Sequence, residues 1–165
     1  MAGLIQSFEV REARPADLVA AGEVVAAAYR HDLSVSEGYL EHVRDATSRA
    51  RQAVVLVAAE GDVVLGSVTY AAGGTALAQR AAADEAELRM LGVSPSAQGR
   101  GIGEALVRAC IERARAAGLR RVVLSTQPEM RVAHRVYERL GFVRREDLDW
   151  VPEPDVCLIG YELAF

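Results

Sequence analysis

Apolar positions along this chain follow two periods, and the switches between them mark the elements. Phe8-Glu-Val-Arg-Glu-Ala13 alternates, which predicts a short strand, and Arg14-Pro15-Ala16-Asp17 punctuates it. Leu18, Ala21, Val25 and Ala28 then recur at helical spacing as far as Arg30. A second helix is predicted from Ser36 to Arg51, with Ser36 as its cap and Tyr39, Leu40, Val43 and Ala46 on its inner face. The β-branched run Ala53–Ala59 reads as a buried strand. Glu60-Gly61-Asp62 turns it into a second strand over Val63–Ala71, giving a hairpin. Residues 72–83 hold Gly73-Gly74 and no convincing period, so they read as a mobile connection.

The second half is more sharply punctuated. Glu85–Val93 reads as a strand ended by Ser94-Pro95-Ser96-Ala97, and a glycine-rich turn follows. From Gly101, Ile102, Ala105, Leu106, Ala109, Cys110 and Ala117 fit a helix closed by Gly118. Arg121–Thr126 is the next strand, and Met130, Ala133, Val136, Tyr137 and Leu140 mark a helix stopped by Gly141. Phe142-Val143 and Val156–Phe165 supply final strands across a polar, proline-containing excursion. The order predicts a mixed α/β sheet, and neither an internal repeat nor a composition break divides residues 1–165, so a single domain is expected.

Composition narrows the chemistry. All 19 basic residues among the 165 are arginine, and there is neither lysine nor asparagine. That excludes Schiff-base enzymes, phosphate loops ending in Gly-Lys-Ser/Thr, a lysine general base and N-glycosylation sequons. Cys110 and Cys157 stand alone, with no Cys-x-x-Cys or Cys/His cluster, so no metal site is expected and a reducing compartment is. The apolar runs are too short to span a bilayer, and Met1-Ala-Gly-Leu-Ile-Gln6 has no basic region before an apolar stretch. The expectation is a cytoplasmic protein with neither membrane nor nucleic-acid partners. The net charge of −4 hides an asymmetry: residues 100–145 hold 11 arginines against 4 glutamates, or +7, and the remainder 8 arginines against 19 acids, or −11. Alternating charges that solvate helix faces would account for this, and so would a basic half that receives a polyanion.

Gln98-Gly99-Arg100-Gly101-Ile102-Gly103 lies between a predicted strand and a predicted helix, where bare backbone N–H groups and a helix dipole bind phosphate oxygens. Its spacing is Gln-x-x-Gly-x-Gly, and the dinucleotide fingerprint Gly-x-Gly-x-x-Gly does not fit. Together with Leu91–Gly103 around it and Tyr137-Glu-Arg-Leu-Gly-Phe142 one helix and one strand later, the chain resembles the GNAT superfamily of acyl-CoA-dependent N-acetyltransferases. The resemblance runs from about Phe8 to Phe165, with its specific motifs in 87–142. It implies a single-domain, mostly antiparallel sheet of about seven strands flanked by about four helices.

The resemblance also implies a site. Backbone N–H groups in Gln98, Gly99, Arg100, Gly101, Ile102 and Gly103 would hold the pyrophosphate of acetyl-CoA. The amides of Leu91 and Val93 would pair with its pantetheine arm, the Leu91 N–H polarising the thioester carbonyl. Tyr137 would protonate the leaving thiolate, since a phenol of pKa about 10 lies near a thiol's roughly 8.5. Glu87 matches a place where some members carry a glutamate base, and its neighbours Asp84, Glu85 and Arg89 equally suit it to an ion pair; the base is open between Glu87, His134 and water. Seven residues before Tyr137, where many members place an asparagine on the cofactor arm, this chain has Met130, which points to a longer acyl chain. Arg100, Arg131 and Arg135 are candidates for coenzyme A phosphates, and Tyr29, His31, Tyr39 and Trp150 for pocket walls. The implied activity is direct acetyl transfer to a primary amine, a small molecule or else a protein N-terminus or lysine. A regulatory module that binds acyl-CoA without turnover is the reading from another class. Acids such as Asp32, Glu37 and Asp147 favour a cationic acceptor. The family also admits a homodimer.

Overall fold

A strand register that parts in the middle of the sheet sets the architecture. The structure, a computed structural model, describes residues 7–165, so the stretch read for a leader lies outside the described residues. The strands are β1 (Glu9–Glu12), β2 (Val54–Glu60), β3 (Val63–Ala72), β4 (Glu85–Val93), β5 (Arg121–Thr126), β6 (Val143–Glu153) and β7 (Val156–Ala164). They form one sheet in the order β1-β2-β3-β4-β5-β7-β6. Every neighbouring pair is antiparallel except β4 and β5, which run parallel because helix α4 (Ile102–Ala116) carries the chain across between them.

Helices cover both faces. Helices α1 (Leu18–Asp32), α2 (Glu37–Arg44) and α3 (Ala46–Ala50) pack on one, where Val25, Leu40, Val43 and Met90 share a cluster. Helices α4 and α5 (Arg131–Arg139) pack on the other, where Leu106 of α4 joins Leu88, Val122 and Leu124 of the sheet. The helix expected from Ser36 to Arg51 is therefore two. Asp45 breaks it by leaving the helical region (ψ 61°) and accepting the Ser48 N–H on its carboxylate at 3.1 Å, the behaviour of a helix-starting aspartate.

Two other expectations are corrected. The excursion expected after Val143 is a continuous edge strand, β6, whose ladder to β7 slips around Trp150 and turns only at Pro154-Asp155. Pro152 is tolerated there because an edge strand has one unladdered side. The connection read as mobile over residues 72–83 spans 73–84 and is fastened by buried carboxylates: Glu85 accepts the Ala82 N–H at 2.7 Å, and Glu87 accepts those of Gln79, Arg80 and Ala81 at 3.1, 2.5 and 3.0 Å. Composition alone had hidden this, because the partners are backbone groups.

Helix α1 lies close against β4, and Gly92 makes the approach possible. A Cβ at this position would stand 2.8 Å from the Val25 Cα and 3.2 Å from the Ala28 Cβ. Gly92→Ala is expected to push α1 off the sheet and to cost about 1–3 kcal/mol of unfolding free energy, the usual penalty of overpacking. A lower urea midpoint at unchanged slope is the readout.

Candidate active site

β4 pairs with β5 only from Glu85 to Leu88, against Arg121 to Leu124. Beyond Leu88 the two strands part, as β5 continues along β7 to Thr126. On its other side β4 slips against β3, where Ser67 and Thr69 face Gly92 and Arg89, so β4 spends an extra residue there. Met90 takes the strain of this bulge, with φ at +53°, and its burial against Val25 and Tyr29 holds it. The result is a strand edge over Leu91–Val93 that, among the described residues, has no partner strand on the β5 side.

A cleft of about 440 Å³ opens beside that edge. Its walls are the end of β4, the turn from Ala97 into α4, the start of α5, and Ala28, Tyr29 and Asp32 of α1. Such a volume lies in the usual range for ligand sites. The turn contributes Gln98, Gly99, Gly101, Ile102 and Gly103. Gly99 and Gly101 have φ of +83° and +76°, a conformation that costs a residue with a Cβ roughly 1–2 kcal/mol. Gly101 occupies the N-cap position of α4 and supplies no side-chain acceptor, so the first N–H groups of this 15-residue helix are left without a cap. Ile102 meanwhile buries its side chain in the core and offers the cleft only backbone.

The predicted residues divide by what they face. Leu91, Val93, Gln98, Gly99, Gly101, Ile102, Gly103 and Met130 all line the cleft. Arg100 sits in the same turn, yet its guanidinium lies on Glu60 at 2.7 Å and over the Phe8 ring, away from the lining residues. Met130 is the N-cap residue of α5 and offers no side-chain cap, so a second bare helix start borders the cleft. Tyr137 is buried behind Ala133 and Val136, its ring 5.7 Å from that of Phe142 and 6.1 Å from that of Tyr161, and it is not itself a lining residue. Burial raises its phenol above the ordinary tyrosine range. His134 is occupied: its Nε2 lies 3.1 Å from the Gln127 carbonyl, which can only accept, and 3.3 Å from the Thr126 hydroxyl. Glu87 lies outside the lining residues and works as the clamp on residues 79–81, with Arg89 3.7 Å away.

Of the expected walls, Tyr29 lines the cleft and stacks on Tyr39 at 6.3 Å. Trp150 is set further round, donating its Nε1–H to the Ser125 hydroxyl at 3.1 Å beneath the Arg80 guanidinium. Arg131 lines the cleft and Arg135 does not, whereas Arg139, which sequence reasoning passed over, does. The signal for Arg139 was available, because Val132, Val136 and Arg139 are spaced four and three apart along one helical stripe.

The arginine-rich block proves to be mostly neutralised by the rest of the chain. Arg100, Arg113, Arg120, Arg121, Arg144 and Arg145 pair with Glu60, Glu12, Asp84, Glu85, Asp149 and Asp147, every one an acid from outside the block. Among the described residues only Arg115, Arg131 and Arg135 of the block's arginines have no carboxylate within ion-pair distance. Of these three Arg131 alone borders the cleft.

Known proteins share this fold. The Brucella melitensis GNAT family acetyltransferase, solved in complex with acetyl-CoA, is 28% identical, with a TM-score of 0.64 over 96% of this chain and 88% of that one. The PaiA N-acetyltransferase of Thermoplasma acidophilum, solved with coenzyme A, shares the fold at 17% identity, with a TM-score of 0.73 over 96% and 99% of the two chains. A mycothiol acetyltransferase of Geodermatophilus obscurus is 40% identical over 65 residues, which are 39% of this chain and 21% of that protein, so the match spans about a fifth of the relative. Residues 22–142 match the acetyltransferase (GNAT) family, and the chain belongs to that family of acyltransferases.

Proposed function

We propose that this protein transfers an acetyl group from acetyl-CoA directly to a small primary amine. The observation that carries the reading is the convergence on one cleft of an uncapped α4 start and an unladdered β4 edge. Bare amides at a helix start suit a pyrophosphate, and an open strand edge suits the amide-bearing pantetheine arm as it would suit an extended peptide. Acetyl-CoA supplies the activated acyl group. Gln98, Gly99, Gly101, Ile102 and Gly103 hold the phosphates through backbone N–H groups, with Arg131 adding a side-chain charge. The backbone of Leu91 and Val93 aligns the arm, and the Leu91 N–H stabilises negative charge on the acyl oxygen.

Tyr137 gives its proton to the departing sulfur. Its burial makes the phenol a weaker acid, but a thiolate in dry surroundings is destabilised likewise: the buried Cys110 thiol is pushed up to about 12. A thiolate formed against the buried Tyr137 ring would lose hydration for the same reason, which keeps donation feasible. Glu87 serves first as a clamp. A carboxylate has roughly four acceptor positions and three amides use this one, leaving room for a water that passes on the proton of the amine. The mycothiol acetyltransferase likeness supports acetyl transfer as the reaction. Met130, apolar where a polar contact to the arm is expected, favours acceptance of propionyl-CoA beside acetyl-CoA.

Thiol release from acetyl-CoA across a panel of amines and lysine peptides tests the function. Turnover with small amines is expected; turnover confined to peptides would mean a protein acetyltransferase, and binding without thiol release a regulatory module. Tyr137→Phe is expected to lower kcat by about 10²- to 10⁴-fold while leaving the KM for acetyl-CoA nearly unchanged. In the parent enzyme the tyrosine must stay protonated to act. Because its pKa is raised, kcat should show no alkaline fall from Tyr137 at pH 10, where an ordinary tyrosine is half ionised. Glu87→Gln is expected to raise the KM for amine more than it lowers kcat and to speed amide exchange at Gln79–Ala81. A loss confined to kcat would make Glu87 the base instead.

A further inference from the structure

We propose that Asp32, at the C-terminal end of α1, is the cation subsite of the cleft, so that the preferred acceptor is a short diamine: one nitrogen is acetylated while the other stays charged against the Asp32 carboxylate. This rests on the acyl-transfer reading above and specifies its second substrate.

Three acids favour a cationic acceptor by composition, Asp32, Glu37 and Asp147, and the structure separates them. Glu37 stands 3.7 Å from Arg30, and Asp147 is paired with Arg145. Neither lines the cleft, whereas Asp32 does. Ala28, Tyr29 and Asp32 face it together from the last turns of α1. A Cβ on Gly92, in the middle of the open Leu91–Val93 edge, would stand 3.2 Å from that of Ala28, so Ala28 sits against the edge. Asp32 follows one turn later, about 6 Å along the helix axis. The carboxylate is therefore near the edge that takes the thioester arm, but set off from it.

One of its oxygens, Oδ1, lies 2.7 Å from His31 Nδ1, which must donate because a carboxylate can only accept. Among the described residues the other oxygen has no donor, and no arginine stands within ion-pair distance. The side chain keeps 42% exposure. The helix end reinforces its charge. The 15-residue α1 stops at Leu33, whose N–H returns to the Tyr29 carbonyl, and among the described residues no protein donor meets the carbonyls of Arg30, His31 and Asp32. Other charges of the cleft leave Asp32 alone: Glu104 holds Arg108 at 3.3 Å and Arg139 at 4.0 Å, while Glu129 and Arg131, of opposite sign, are two residues apart at the start of α5. The cleft is thus graded, with two uncapped helix starts and Arg131 on one flank and a helix end bearing a carboxylate on the other.

An attacking amine must be neutral, and a carboxylate beside it would favour its protonated form. Asp32 is therefore suited to the nitrogen that does not react. The free nitrogen attacks the acyl carbon, forming C–N as C–S breaks. Its proton leaves through the water at Glu87, the sulfur takes the proton of Tyr137, and the nitrogen at Asp32 keeps its charge throughout.

The test compares diaminopropane, diaminobutane and diaminopentane with the matching amino alcohols, at about pH 8, where an alkylamine is charged and imidazole is ordinarily neutral. The parent enzyme is expected to favour the best diamine over its amino alcohol by at least about fivefold in kcat/KM, chiefly through KM, the scale of a partly exposed ion pair aided by a helix end. Most of that preference should vanish as ionic strength is raised toward about 1 M. Asp32→Asn should bring the ratio close to one and Asp32→Glu restore part of it. Glu41→Gln, the same charge change at an exposed position of α2 that does not line the cleft, should leave the ratio alone. Equal use of diamine and amino alcohol by the parent, a ratio that Asp32→Asn does not move, or one that Glu41→Gln lowers as far, would overturn the subsite. Should no amine turn over, the acyl-transfer reading fails by itself. The subsite is then judged by titrating the coenzyme A complex with mono-N-acetylated diaminobutane and with N-butylacetamide: tighter binding of the charged ligand that Asp32→Asn abolishes supports it, and equal binding, or none, refutes it.

Discussion

The site depends on where two parallel strands stop holding each other. If β5 followed β4 past Leu88, the amides of Leu91–Val93 would be spent on a ladder and α4 could not begin beside them. The parting is enforced from both sides. β5 gives its continuing edge to β7 as far as Thr126, while β4 bulges at Met90 against β3. A strained φ persists only when packing over-determines it, and here α1 does so by pressing Val25 and Tyr29 onto Met90, an approach that Gly92 permits. One helix thus maintains the bulge and supplies a wall of the cleft.

Charge is distributed with a different logic from the one composition suggests. Six of the block's arginines pair with acids of the remainder, through contacts such as Arg100 with Glu60, Arg113 with Glu12 and Arg120 with Asp84, across 40, 101 and 36 residues of sequence. Exposed pairs of this kind contribute little stability each. Their effect is to remove the bulk of the apparent basic field, and of the block's arginines left without a carboxylate partner among the described residues, Arg115, Arg131 and Arg135, only Arg131 borders the cleft.

The elements with strong periodicity were legible: α1, α4 and α5, the β2–β3 hairpin, and the glycine turn with its uncapped helix. Most of the cleft's lining was legible as well, since Leu91, Val93, Gln98, Gly99, Gly101, Ile102 and Gly103 border it through positions that follow from the order of elements, while Arg100 does not. What escaped was set by tertiary partners. Asp45 reads as one more polar residue in a helix until its carboxylate is seen on Ser48. Residues 73–84 look unstructured because the groups fastening them are their own amides, met by Glu85 and Glu87. Arg100 could not be placed without Glu60.

The backbone character of the donor half has a consequence for divergence. Since the turn and the β4 edge offer N–H groups rather than side chains, substitutions that preserve Gly99 and Gly101 and the bulge leave that half working, whatever the other side chains become. The side chains that α1 and α5 present to the cleft, such as Tyr29, Asp32, Met130 and Arg139, stand apart from that backbone frame. Exchanging them would reshape the cleft without rebuilding the turn or the β4 edge, which makes this an economical scaffold for changing what is bound beside a fixed frame.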